Sequence, residues 1–172
     1  NNISQTFLVG TVGMQEMLEK ENINTRSENP EYVVLGYDTE INYDKLSQAS
    51  YHLHNGVKLV ASHPVMVCPS PLGGLPDNGA FMALFEATTG VKPTHFCGKP
   101  NPQMILHKIS ELGLLPEKCA MIGDRLYTDM EMAKKAKVKA ILVLSGEATK
   151  EDLELYPHEP DLVVDSIDEL VR

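Results

Sequence analysis

Two aspartates and one lysine say most about what chemistry this chain could do. In Met121-Ile122-Gly123-Asp124-Arg125-Leu126-Tyr127-Thr128-Asp129 an apolar run ends in Gly-Asp, and a second aspartate follows five residues later. The run 119–122 predicts a short buried strand. Gly123 lets the backbone turn sharply, so Asp124 emerges at the strand's carboxyl end, the edge of an open parallel sheet at which ligands bind. Gly98-Lys99-Pro100, after a predicted strand 94–97, repeats the layout of strand, glycine and charge, and Pro100 cannot continue the ladder. Two adjacent strand ends would then offer one cation and two carboxylates to a single crevice, a donor set suited to a metal and a phosphate. Each piece alone is weak, because Gly-Asp is a common turn dipeptide and a lysine after a strand is usually solvated.

The elements that must hold these groups follow from hydrophobic periodicity. Strands are predicted at 6–9, 32–35 and 57–61. Helices are predicted at 14–20, at 43–55 with Leu46, Ala49 and Leu53 on one face, and at 80–89. Gly56 and Gly90 end the last two, Gly56 as a left-handed cap, and the Pro/Gly-rich stretch 64–79 is a long loop. These make one α/β unit, 5–92. From Pro93 a second unit is expected, 93–172, with strands 94–97, 119–122, 140–144 and 161–164 and helices 103–112 and 129–137. Ile105, Ile109 and Leu112 share one face of the helix 103–112. Thr149-x-x-Asp152 and Ser166-x-x-Glu169 start further helical turns as capping boxes. Alternating strands and helices imply a parallel sheet built from crossovers.

Composition bounds the rest. The chain has 172 residues, 42% of them hydrophobic, enough for a real core. A net charge of −9 argues against a nucleic-acid surface, which needs clustered Lys and Arg. The one basic run, Lys134, Lys135, Lys137 and Lys139, sits at the end of a predicted helix, where a solvated face agrees with the helix dipole. No apolar stretch approaches the roughly 20 residues of a membrane span, and the first residues lack a basic-then-apolar signal pattern. Cys68, Cys97 and Cys119 are too few and too far apart for a disulfide framework or a zinc site, and Cys97 and Cys119 fall on predicted buried strands. A reducing cytoplasm is the expected setting. His52 and His54 stand two apart, not at the spacing of a helical metal pair, and take no role.

Taken in order, Val33-Val34-Leu35-Gly36-Tyr37-Asp38, Ala61-Ser62-His63-Pro64, Pro76-Asp77-Asn78-Gly79, Gly98-Lys99-Pro100-Asn101-Pro102 and Gly123-Asp124-Arg125-Leu126-Tyr127-Thr128-Asp129 resemble the haloacid dehalogenase (HAD) superfamily, in its NagD or p-nitrophenylphosphatase-like branch. The resemblance implies an α/β fold with a HAD-like Rossmannoid parallel sheet, of which 93–172 would be the C-terminal part. Residues 5–92 would be an inserted α/β cap domain and 1–4 a remnant of the core's second motif. It implies a magnesium-dependent phosphatase acting on small phosphate monoesters: sugar phosphates, nucleoside monophosphates or p-nitrophenyl phosphate. By the same analogy Lys99 is catalytic and contacts the phosphate, Asp124 is catalytic and a magnesium ligand, and Asp129 orients Lys99 or a metal-bound water. Asn1 and Asn2 are candidate phosphate contacts. The cap segment 62–69 is expected to set substrate choice. In it His63 is a candidate for substrate contact, with a hydrogen-bonded structural role as the alternative, and Val65 stands where similar chains carry an aspartate.

One departure is plain. Such enzymes carry an Asp-x-Asp-Gly segment whose first aspartate is the nucleophile, and none occurs in these 172 residues. The expectation is therefore an incomplete copy. The alternative is a non-catalytic binding module or pseudoenzyme, and an intact mass well above 19.0 kDa would favour the enzyme. A parallel sheet lacking its central strand leaves unpaired backbone groups, costing roughly 1–3 kcal/mol each when buried, so a fragment would be fragile or associated, and a second copy is a candidate partner. The other expected partner is a small phosphorylated metabolite, with neither nucleic acid nor membrane.

Overall fold

The computed structural model of the chain describes residues 3–171 as two α/β units, one reaching to Cys97 and one beginning at Gly98. The first contains β1 (Thr6–Val9), α1 (Val12–Lys20), β2 (Tyr32–Leu35), α2 (Tyr43–His54), β3 (Lys58–Ala61), β4 (Val67–Cys68), β5 (Leu75–Pro76), α3 (Asn78–Thr89) and β6 (Pro93–Phe96). Strands β1-β2-β3-β6 form a parallel sheet in that order, while β4 and β5 make a small antiparallel ribbon inside the 64–79 segment. The register pairs Val33 with Leu59 and Leu35 with Ala61, and all four are fully buried. Because alternate residues face opposite sides, these pairs present one apolar surface, over which Ala49, Leu53 and Phe85 close. The outer edge of β1 is covered by the chain at 24–27, where the Thr6 and Leu8 amides donate to the Asn24 and Thr25 carbonyls, so it offers no free ladder. Gly56 and Gly90 end their helices at φ +87° and +74°.

Two expectations are corrected here. The strand expected at 94–97 in the second unit is β6, and it pairs with β3 through Val60–His95 and Ala61–Phe96. The connection from α3 is only residues 90–92, which returns the chain beside β3, and the first compact unit runs to Cys97. Lys99 thus follows a strand of the first sheet, one that is not hydrogen-bonded to the strand carrying Asp124 among the described residues. Ser4 likewise packs with the first unit: its carbonyl accepts from Asn24 and its amide donates to Glu31. Asn1 and Asn2 lie outside the described residues.

The second unit contains α4 (Gln103–Glu111), β7 (Ala120–Gly123), α5 (Glu131–Ala136), β8 (Lys139–Val143), α6 (Lys150–Leu155) and β9 (Leu162–Val164), with a parallel sheet in the order β7-β8-β9. Its core joins Ile109, Leu126, Met130, Ala133, Ala136, Ala140 and Leu142. Strand β7, expected to be buried, is not. It is the sheet's edge, no strand pairs with its outer side among the described residues, and Ile122 is 41% exposed. Cys97 is exposed and Cys119 half-buried, against the expectation of buried thiols. The helix expected at 129–137 opens as a π-helical turn, Leu126–Met130, before α5. The four lysines at its end are exposed. Both capping boxes form, Thr149 with Asp152 and Ser166 with Glu169, the second starting a 3-10 turn, Ile167–Leu170. The Thr149 hydroxyl and then its amide hold the Asp152 carboxyl below the ordinary carboxylate range. No helix among the described residues is long and apolar enough to cross a membrane.

Phe85 has no exposed surface, whereas Leu72 is fully exposed. In urea unfolding, Phe85→Ala is expected to cost about 3–5 kcal/mol and Leu72→Ala less than about 0.5 kcal/mol. Equal losses would mean that the core is wrongly placed.

Candidate active site

Strand β7 delivers Gly123 and Asp124 to its carboxyl end, and the next strand, β8, delivers Gly146 and Glu147 to the same edge. The two loops interlock. The Glu147 amide donates to Asp124 Oδ2 at 2.9 Å, and the Ala148 amide donates to the Asp124 carbonyl at 2.9 Å. Gly146 is required for this approach, since a Cβ there would stand 2.2 Å from Asp124 Oδ2. The other oxygen, Oδ1, accepts no hydrogen bond among the described residues and is free to meet a cation.

Asp129 reaches the same place from the π-helical turn. Its amide and that of Met130 both donate to the Arg125 carbonyl, at 3.0 and 3.2 Å, a widened turn of the kind often found at functional positions. The carboxylate folds back so that Oδ2 accepts from the Arg125 amide at 3.2 Å. Its Cβ would stand 2.4 Å from one placed on Gly123, so this approach too depends on glycine. Oδ1 lies 2.7 Å from Lys99 Nζ, with the carboxylate 2% and the lysine side chain 39% exposed. The contact is ionic and off the hydrogen-bonding directions, for Oδ1 takes no aligned bond. A turn in which the Asn101 amide donates to the Gly98 carbonyl at 2.9 Å presents Lys99 to that position.

Of the residues singled out by sequence, Lys99 and Asp129 are in direct contact, and Asp124 adjoins Asp129 through Gly123 and Arg125. His63 belongs to the other unit. Its Nδ1 is 2.8 Å from Ser62 Oγ and its Nε2 is 2.8 Å from Asp77 Oδ1, while Asn78 Nδ2 donates to its carbonyl at 2.8 Å. Both ring nitrogens of this histidine are thus engaged. Val65 is half-buried and its carbonyl accepts from the Gly79 amide at 2.7 Å. The 770 Å³ groove in the first unit, lined by Phe7, Arg26, Lys45 and His52 among others, contains none of these residues. Asp38, which follows the predicted strand 32–35, is buried and paired with Lys45 at 2.9 Å.

Sequence reasoning passed over Glu147. Its carboxylate is ion-paired with Arg125 Nε at 2.6 Å and accepts from the Tyr127 hydroxyl at 2.7 Å. Burial works against the charge of Arg125, but Glu147, with Tyr127 and Asp124, holds its pKa above the ordinary value. Burial, followed by the hydrogen bond and charge of Glu147, raises the Tyr127 hydroxyl. The signal was present: Gly146-Glu147 follows the apolar run 140–144 as Gly123-Asp124 follows 119–122.

A HAD-hydrolase-like family matches residues 96–170, the stretch that carries Lys99, Asp124, Asp129 and Glu147. Dihydroxyacetone phosphatase of Corynebacterium glutamicum is 33% identical over 164 residues, 95% of this chain and 59% of that protein. A 4-nitrophenylphosphatase from Thermotoga maritima superposes with a TM-score of 0.92 at 42% identity, covering 97% of this chain and 64% of that one. The chain belongs to the haloacid dehalogenase superfamily. Within it the likeness is to the NagD and p-nitrophenylphosphatase branch: NagD from E. coli K-12 superposes at a TM-score of 0.88 and 28% identity, over 98% of this chain and 66% of that one. The chain spans about three fifths of the length of the curated relative, 59%.

The close approach at Gly123 makes a direct prediction. Gly123→Ala should lose about 1–3 kcal/mol through overpacking. Gly13→Ala in α1, where the nearest atom would be 3.9 Å away, should gain about 0.4–1 kcal/mol. Thermal unfolding of both variants checks it, and a neutral Gly123→Ala would mean that Asp129 does not lie against β7.

Proposed function

We propose that the protein to which this chain belongs hydrolyses small phosphate monoesters with magnesium, through an aspartyl-phosphate whose nucleophile is not among these 172 residues. Sugar phosphates, nucleoside monophosphates and p-nitrophenyl phosphate are the substrate class, and the cytoplasm is the setting. The observation that carries the reading is Lys99 held 2.7 Å from buried Asp129, on the turn that follows Asp124.

A phosphate monoester is anionic and repels a carboxylate nucleophile, so attack needs positive charge fixed before the reaction begins. Lys99 supplies it as a point charge. Asp129 aims it, and because the Arg125 amide already holds Asp129 Oδ2, little reorganisation is left for the moment of transfer. Asp124 suits a hard cation, being a carboxylate with one oxygen anchored and one free. It would be one ligand only: among the described residues no group of three His, Cys, Asp or Glu could hold a metal. When bound, magnesium polarises a phosphoryl oxygen and offsets its charge. In this reading substrate choice lies in the segment 62–69, where Val65 in place of a carboxylate removes an acceptor for substrate hydroxyls.

Lys99→Ala in the full-length protein is expected to lower kcat by at least about 10²–10³-fold with an unchanged circular dichroism spectrum, and near-normal turnover would sink the assignment. Asp124→Asn should raise the magnesium concentration for half-maximal rate far more than Asp129→Asn. Equal shifts would place the metal shell elsewhere.

A further inference from the structure

Three polar contacts, one ion pair and two hydrogen bonds, join Glu147 to one short stretch of chain. Its side chain takes Arg125 on one oxygen, at 2.6 Å, and Tyr127 on the other, at 2.7 Å, while its own amide donates to Asp124 Oδ2 at 2.9 Å. The loop after β8 is thereby fastened on both sides of the loop after β7, and the fastening point is the donor that fixes Asp124. Fixing one carboxylate oxygen decides where the other points. The closeness of Gly146 leaves little slack in this arrangement.

We propose that the Arg125–Glu147–Tyr127 clamp is a positioning device that holds the Glu147 amide on Asp124 and so presents Asp124 Oδ1 to the divalent cation. This rests on the metal reading above. None of the three residues needs to touch substrate or metal. Outer groups that orient a ligand typically change metal affinity about 10–100-fold when removed, and a bidentate acceptor joining two loops is well suited to that task.

Coulomb's law and the clamp make opposite predictions for Arg125. Removing a positive charge beside a cation site should tighten cation binding, whereas loosening the clamp should weaken it. Mn2+ binding to the full-length protein, followed by electron paramagnetic resonance without substrate, separates the two. Arg125→Gln is expected to bind Mn2+ about tenfold more weakly. Tyr127→Phe, which changes no charge and removes one bond, is expected to bind it several-fold more weakly, at an unchanged melting temperature. Unchanged or tighter binding by Arg125→Gln overturns the clamp, and if that variant does not fold, unchanged binding by Tyr127→Phe does so. Asp124→Asn tests the underlying reading separately. If that variant keeps wild-type affinity, Asp124 is not a ligand and both proposals fall. If it loses Mn2+ while the Arg125 and Tyr127 variants do not, the clamp alone falls.

Discussion

A carboxylate as deeply buried as Asp129 must have a counter-charge close by, and in the second unit that counter-charge is Lys99. Taking two ions out of water costs several kcal/mol each and is recovered only when they meet at short range with further hydrogen bonds. Here the range is 2.7 Å, and the Arg125 amide supplies the further bond. The lysine side chain remains 39% exposed, so the pair is not sealed. It is a half-open contact whose cation can still face an anion. The turn at Gly98 and the π-helical turn at Leu126–Met130 both serve to bring this pair together.

Backbone proximity is the second constraint. Asp124 and Asp129 each lie against a glycine on a neighbouring segment, Gly146 and Gly123 respectively, at distances no side chain would allow. Two loops at one sheet edge can approach so closely only because β7 and β8 are parallel and in register, Gly123 opposite Leu142, so that both chains leave the sheet at the same height. Glu147 fastens them. The packing says why these residue types stand there.

Much of this was legible in the sequence, for identifiable reasons. Strands β1 and β2 coincide with their predicted spans, because Thr6–Val9 and Tyr32–Leu35 are apolar or β-branched runs bounded by polar and turn residues. The capping boxes were visible because a cap is a local matter of hydroxyl and carboxylate spacing. Lys99 and Asp129 could be paired only through their order in a family pattern, since nothing local connects them. What stayed hidden depended on long-range pairing. Thr94-His95-Phe96-Cys97 looks like a strand in either unit, and its place is decided by β3, whose Leu59 carbonyl accepts from the Thr94 hydroxyl 35 residues on. The exposure of Ile122 depends on what lies beside β7, and no window of local sequence carries that. The π-helical turn differs from an α-turn by one residue of pitch, too little to appear in hydrophobic periodicity.

The most direct test of the central claim is a crystal structure of the full-length protein soaked with Mn2+ and an inert phosphate mimic, read by the anomalous signal of the metal. The account predicts a Mn2+ peak on the Asp124 carboxylate, with the anion against the Lys99 ammonium and Asp129 still paired to that lysine. A metal bound away from Asp124, or an anion held without Lys99, would contradict it.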